Sequence, residues 1–123
     1  MAVDVPALVA GGIRFSSGVH FLVDPLGANR MWGNKEAVDT TARLLLRSMG
    51  YRDFLIGAML LQASLRGKDT RGWFLASGGA DAADFIGGLP VHHEMSGSAK
   101  AIGLGGAVVG IGVGLWGATR RRP

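Results

Sequence analysis

Residues Ala101 to Thr119 read AIGLGGAVVGIGVGLWGAT, a run of 19 residues with no charged side chain. At about 1.5 Å per residue, a helix of this length extends for about 28 Å, close to the hydrocarbon thickness of a bilayer. A helix on the surface of a soluble protein has a polar face, and this run has none. Trp116 lies near its end and Arg120 follows it with two more arginines, as in an interfacial anchor before a cytoplasmic basic cluster. The run therefore predicts a transmembrane helix.

The composition of the whole chain agrees with this interpretation. Of 123 residues, 21 are glycine and only 18% are charged, whereas a soluble domain is typically about 25% charged and about 7% glycine. The absence of cysteine excludes disulfides, thiolate metal ligands and a cysteine nucleophile. A net charge of +4 can indicate nucleic acid, but three of the 13 basic residues follow the last apolar run. We therefore expect the lipid bilayer, and no nucleic acid, as a partner.

Three earlier apolar runs complete the predicted fold. Asp4 can cap the first run, and Asp24 and Pro25 end it. The second begins amphipathic and becomes apolar, and the third stops before Pro90. We expect helices at residues 5–23, 36–65, 73–89 and 101–119. The predicted fold class is all-α, an integral membrane four-helix bundle in one domain that covers residues 1–123.

The basic residues predict the orientation of this bundle. If both termini lie on one side, that side has six basic residues: Arg66, Lys68, Arg71, Arg120, Arg121 and Arg122. The opposite side has Arg30, Lys35 and Lys100, with Arg43 and Arg47 near the boundary. Because basic residues are enriched in cytoplasmic loops, we expect a multi-pass protein of the cell membrane with both termini in the cytoplasm.

Glycines at helical spacing predict how the helices pack. In lipid, small residues allow two helix backbones to approach closely. Gly11 and Gly18 share one face of the first helix. The last helix carries glycines at spacings of three and four, namely Gly103, Gly106, Gly110, Gly114 and Gly117. We expect these faces to form helix contacts and to support a homo-oligomer.

Five charged residues fall at membrane depth: Arg14, Arg52, Asp53, Asp81 and Asp84. Each costs about 2.5–3.5 kcal/mol at the centre of a membrane helix, so we expect them to face inward and to meet one another. Two arginines face three aspartates, which leaves one carboxyl group in surplus. We expect Asp81 to pair with Arg14 and Asp84 to hold a proton.

These five residues are the candidate catalytic residues, and His20 is a sixth. The imidazole of His20 titrates near neutral pH, so it can serve as an acid or a base near the end of the first helix. His92, His93 and Glu94 follow the third helix, but the spacings of the common zinc motifs are absent. We expect no metal and no cofactor.

Short motifs along most of the chain resemble those of a known family. They are Gly50-Tyr51-Arg52-Asp53, Gly57, Pro25, Trp32-Gly33 and Asp84. The chain resembles an uncharacterised family of small four-span integral membrane proteins of bacteria and fungi, distantly DoxX-like in architecture. The resemblance implies a four-helix membrane bundle with Arg52, Asp53 and Asp84 at positions typical of the family. It implies no activity, and it does not include Asp81 or the two adjacent histidines.

Three functions remain open at this point. The first is a membrane-embedded enzyme, of isomerase or cyclase type, that uses the Arg/Asp cluster for acid–base chemistry on a lipophilic small molecule. The second is a small transporter or channel in which the same carboxylates carry protons or cations. The third is a non-catalytic accessory subunit whose charges only fix the packing of the helices.

Overall fold

The computed structural model describes residues 3–31, 40–88, 97 and 104–120, and within these ranges all regular secondary structure is helical. The five helices are α1 (Val5–Val23), α2 (Pro25–Met31), α3 (Thr40–Leu65), α4 (Arg71–Gly88) and α5 (Gly105–Thr119). The all-α prediction is confirmed. The ends predicted at residues 36–39, 89 and 101–103 lie outside the described residues.

A short helix, α2, follows α1 at the position where the sequence predicts only a turn. The backbone N–H of Asp24 donates to the carbonyl of His20 and closes α1, as expected. The Asp24 side chain then accepts from the backbone N–H of Gly27 at 3.0 Å, so it caps the helix that follows. Pro25 suits the first position of a helix because it has no N–H to satisfy there. The residues that stop α1 therefore also start α2.

A tight turn reverses the chain between α3 and α4. Gly67 has a positive φ of 64°. The N–H of Lys68 donates to the carbonyl of Ala63 at 2.8 Å, which satisfies the end of α3. Glycine suits this left-handed position because it carries no Cβ. Helix α4 begins at Arg71, two residues before the predicted start.

Helices α1 and α3 pack with their backbones in direct contact. Gly11 lies opposite Gly57, and Gly18 lies opposite Gly50, so the two glycines on each helix are seven positions apart. A methyl group on Gly57 would lie 2.7 Å from the carbonyl oxygen of Gly11, and one on Gly18 would lie 2.6 Å from that of Gly50. Only glycine permits this approach, so these four positions fix the antiparallel register of the pair.

Helices α4 and α5 form a second pair of the same kind. A methyl group on Gly114 would lie 2.6 Å from the Cα of Gly78, and Gly117 lies under the ring of Phe74. Gly110 lies against the side chain of Asp81. Gly106, which the sequence places in the same groove, is exposed. Because these α5 glycines contact α4 of the same chain, a homo-oligomer stays a prediction.

Side chains, rather than backbones, join the two helix pairs. The apolar core consists of Ala7 on α1, Ile56 and Leu60 on α3, and Phe74 and Ala80 on α4. Leu60 and Phe74 are almost completely buried. Burial of such side chains contributes roughly 1.5–3 kcal/mol each.

Among the described helices, one is both long and apolar enough to cross a membrane. This is α1, while α5 is apolar but shorter, at 15 residues. One such helix near the N-terminus is a weak indication of membrane association. The sequence predicts four spans, and a four-span bundle is not confirmed.

Candidate functional site

Helices α1, α3 and α4 bring five charged side chains into one layer near the middle of the molecule. Arg14 lies between the two glycine contacts of α1, and Asp53 lies between the two glycine contacts of α3. Both residues therefore lie along the α1–α3 interface, and Arg14 also reaches α4. Asp81 and Asp84 are one turn apart on α4, so they lie on the same face of that helix.

The five side chains form one continuous chain of alternating charge. Arg14 donates to Asp53 at 2.7 Å and to Asp81 at 2.5 Å. Arg52 donates from Nη1 and Nη2 to the two oxygens of Asp84, each at 3.0 Å. Its Nε and Nη2 also lie 3.3 Å from Oδ1 of Asp53. Asp53 is therefore shared by both arginines and joins the two halves of the cluster.

We call these five residues the charged layer. The pairing of Arg14 with Asp81 is the one expected from their equal depth. The pairing of Asp84 with Arg52 is more specific than the sequence indicated, because the two oxygens of one carboxylate match the fork of one guanidinium. In this arrangement both carboxyl oxygens of Asp84 accept hydrogen bonds from Arg52.

Exposure increases from one end of the charged layer to the other. The side chains of Arg14, Asp53 and Asp81 are 13–14% exposed, whereas those of Arg52 and Asp84 are 33% and 41% exposed. The Arg52–Asp84 pair is thus the part that a small molecule can reach. The other three residues support it from inside.

His20 does not join this layer. It lies in the last turn of α1, six residues or about 9 Å along the helix from Arg14. None of the described hydrogen bonds of the charged layer involves it. His92, His93 and Glu94 lie outside the described residues.

A second polar cluster, absent from the sequence predictions, lies at the end of the bundle where α1 starts and α5 ends. Oδ2 of Asp4 accepts a hydrogen bond from the hydroxyl of Thr70 at 2.6 Å and another from Arg120. The backbone carbonyl of Asp4 accepts from the hydroxyl of Ser64 at 2.6 Å. Ser64 and Thr70 are fully buried. The cluster ties together the ends of α1, α3, α4 and α5.

Arg120 has contacts that the sequence did not predict. We expected it in a cytoplasmic basic cluster after the last helix, and its side chain is only 15% exposed. Its guanidinium lies 5.3 Å from the ring centre of Phe74 and 5.1 Å from that of Trp116. Arg121 and Arg122 lie outside the described residues. Arginine adopts this position because its flat, weakly hydrated guanidinium can stack on aromatic rings while it binds a carboxylate.

The partners of Asp4 also set its protonation. Burial by itself raises the pKa of the Asp4 carboxyl. The hydrogen bonds from Arg120, Thr70 and the N–H of Ala7 outweigh this effect, and the pKa lies below its usual value. Asp4 is therefore a charged group at neutral pH and holds Arg120 by a charge-assisted bond. A hint was present in the sequence, since Asp4 was expected to cap α1, but nothing indicated its distant partners.

Comparison with known proteins places most of the chain in one family. The family model described as a domain of unknown function, DUF4267, matches residues 11–118 and so includes all five residues of the charged layer. No curated protein matches the chain. No solved structure matches it either. The chain belongs to the DUF4267 family, whose function is not defined.

Proposed function

We propose that this chain is an integral membrane enzyme of isomerase or cyclase type, in which Arg52 and Asp84 act on a lipophilic small molecule. The observation that carries the proposal is the position of this pair. It is the exposed end of a charged layer whose other members are buried in the middle of an otherwise apolar bundle.

The distribution of polar and apolar side chains supports the membrane location. On α1 the buried face carries Arg14, while Val5, Val9 and Ile13 on the outer face are 60%, 56% and 65% exposed. The core helix of a soluble protein is mostly buried, but only 22% of α1 is buried in the bundle. Large apolar side chains outside and charges inside are the arrangement that lipid favours.

The composition of α3 and α4 is compatible with the same location. Neither helix is apolar enough to be recognised as a span from length and composition alone. Arg52 and Asp53 on α3, and Asp81 and Asp84 on α4, nevertheless belong to one network of ion pairs. Paired charges inside a bundle cost much less than isolated charges in lipid, so the count of charges overstates the barrier to insertion.

The contact between Asp4 and Arg120 supports the proposed orientation. It brings both ends of the described chain to the side that also carries Arg66, Lys68 and Arg71. Under the positive-inside rule this side faces the cytoplasm.

The Arg52–Asp84 pair has the chemical groups that a proton transfer needs. The carboxyl group can exchange a proton with a carbon atom of the substrate, and the adjacent guanidinium can hold a negatively charged oxygen of the substrate. Asp53 and Asp81 hold the two arginines, which restricts the reaction to the exposed end.

The geometry favours an enzyme over a transporter. The charged layer crosses the bundle at one level and does not run along its axis. Between this layer and the Asp4 cluster lie Ala7, Leu60 and Phe74, which are buried and apolar. A proton or cation that moved along the bundle would have to pass this apolar layer.

Extraction tests the membrane location. We expect the chain to stay in the membrane pellet after alkaline carbonate or high salt and to dissolve only in detergent. Release of the folded chain by carbonate alone would show that the location is wrong.

Hydrogen exchange into the substrate tests the chemistry. The detergent-purified protein is incubated in D₂O with an organic extract of its host membranes, and mass spectrometry identifies any compound that gains deuterium. Because an acid–base isomerisation exchanges a carbon-bound proton with solvent, we expect uptake with the wild type and none with Asp84→Asn.

Arg43→Gln is the matched control for this experiment. Arg43 is exposed on α3 and lies outside the charged layer, so the variant should exchange like the wild type. Equal uptake by the wild type and Asp84→Asn, or no uptake above the protein-free sample, would contradict the enzymatic proposal.

A further inference from the structure

We propose that Arg52 binds the carboxylate head of an amphipathic ligand, and that this carboxylate replaces Asp84, which takes up one proton as it leaves. The inference rests on the proposed function, because it names the class of molecule that reaches the same pair.

The geometry of Arg52 carries this inference. Its Nη1 and Nη2 atoms each bind one oxygen of Asp84 at 3.0 Å, so the fork already holds a carboxylate in bidentate geometry. A ligand carboxylate has the same shape and charge and fits the same fork. Asp84 therefore occupies the position of the ligand head group.

Asp53 keeps the fork in place when Asp84 leaves. Its Oδ1 accepts from Nε and Nη2 of Arg52 at 3.3 Å, on the side of the guanidinium away from Nη1. Asp53 is itself held by Arg14 at 2.7 Å and is only 13% exposed. The guanidinium is thus oriented by a buried, anchored carboxylate and occupied by an exposed one. The exposed carboxylate is the one that can exchange.

The neighbouring surface suits the rest of an amphipathic ligand. Leu45 lies seven residues before Arg52 and Leu55 lies three residues after it, on the same side of α3. Their exposures are 63% and 42%. An alkyl chain can lie along these side chains while its head group binds Arg52.

Charge balance requires the proton. Asp84 contacts Arg52, and the other charged groups of the layer follow along the chain of ion pairs: Asp53 from α3, Arg14 from α1 and Asp81 from α4. The layer has one more carboxylate than guanidinium groups. Binding of a second anion to this layer would add another uncompensated charge at low dielectric. If Asp84 takes a proton from water as the ligand carboxylate binds, the net charge of the layer does not change. The released aspartic acid lies beside the ligand, where it can donate that proton.

Calorimetry with a ten-carbon probe tests this exchange. Decanoate is titrated into the full chain in nanodiscs, with empty nanodiscs subtracted, in two buffers of different ionisation enthalpy at pH 7. The difference in heat gives the number of protons taken up. We expect about one proton per decanoate bound, and no saturable binding of decanol, which has the same chain length and no carboxylate.

Variants of the two residues give opposite results if the inference is correct. Asp84→Asn should bind decanoate with no proton uptake, because an amide cannot accept the proton. Arg52→Gln should weaken binding by about tenfold or more, since it removes a charge-assisted bidentate contact. Arg52→Lys keeps the charge without the fork, so it should bind decanoate more weakly than the wild type and more tightly than Arg52→Gln. Arg43→Gln is the control and should match the wild type.

Three results would overturn the inference. They are decanoate binding without proton uptake, binding that does not depend on Arg52, and no saturable decanoate binding to a wild-type chain that shows the native circular dichroism spectrum. None of them affects the deuterium-exchange test, so a failure here leaves the proposed enzymatic function to its own experiment.

Discussion

Asp4 and Arg120 lie at opposite ends of the described chain, and a hydrogen bond between their side chains joins the start of α1 to the end of α5. The carboxylate of Asp4 is 3% exposed and is also bound by Thr70, at the start of α4. One buried carboxylate thus fixes the relative positions of three helix ends. Because the two helix pairs contact each other mainly through side chains, these hydrogen bonds at the end of the bundle help to hold the pairs together.

We expect Asp4→Asn to lower the free energy of unfolding by about 1–3 kcal/mol, because Arg120 and Thr70 lose a charged acceptor while asparagine can still cap α1. Denaturant titration in detergent, followed by circular dichroism, measures the change. Asp69→Asn is the matched control, since Asp69 pairs with Arg71 on the exposed surface and such pairs contribute about 1 kcal/mol or less. An equal loss in both variants would contradict the role of the Asp4 cluster.

The same contact predicts a pH dependence. The pKa of Asp4 lies below its usual value, so folding favours the ionised form. The stability that this group contributes is complete at neutral pH and is lost as the pH falls through the lowered pKa. The difference in stability between wild type and Asp4→Asn should therefore disappear in strong acid. A constant difference from pH 7 to pH 2 would show that ionisation of Asp4 is not involved.

The α1–α3 contact predicts opposite effects for two glycines. At Gly57 a new methyl group would lie 2.7 Å from the carbonyl oxygen of Gly11, so Gly57→Ala must separate the helices and destabilise the fold. At Gly12 a methyl group would have no neighbour within 4 Å. Gly12→Ala should be neutral or stabilising by up to about 1 kcal/mol, because alanine favours helix. Thermal unfolding of the two variants in detergent distinguishes them.

A second pair of glycines tests the α4–α5 contact. At Gly110 the first side-chain carbon would lie 2.6 Å from Cγ of Asp81, whereas Gly112 faces open space. Gly110→Leu should push the helices apart and displace Asp81 from Arg14, and its melting temperature should fall by several degrees. Gly112→Leu should melt like the wild type. Similar melting of both variants would mean that Gly110 does not face α4.

The connectivity of the charged layer predicts an order of stability among three variants. Asp53 is shared by both arginines, Asp81 contacts Arg14, and Asp84 is the exposed end. Asp53→Asn should cost most, about 3–5 kcal/mol, because it leaves two arginines short of a partner. Asp84→Asn should cost least, because Asp84 is the exposed end and Arg52 retains Asp53. We expect Asp81→Asn to lie between them, since Arg14 retains Asp53. Denaturant titrations give the order, and a greater loss from Asp84→Asn would contradict it.

The sequence alone determined the class of fold and the extent of its first helix. The apolar runs, the capping position of Asp4 and the stop at Asp24 are local signals, and the bounds of α1 follow from them. The cost of isolated charges among apolar residues indicated that Arg14, Arg52, Asp53, Asp81 and Asp84 would meet. These inferences depend on the spacing of residues along one helix, and this spacing can be read from the sequence.

The tertiary structure decided which of these groups meet and where. The bidentate pair of Arg52 and Asp84, the shared position of Asp53 and the burial of Arg120 depend on the rotation of each helix about its own axis. That rotation is set by the contacts between α1 and α3 at glycines spaced seven positions apart, and by the contact of Gly78 with Gly114. A change of one helical position turns a side chain by about 100°, so a partner is gained or lost with it. The periodicity of a single helix carries no information about the rotation of its neighbour, and the packing of the helices supplied it.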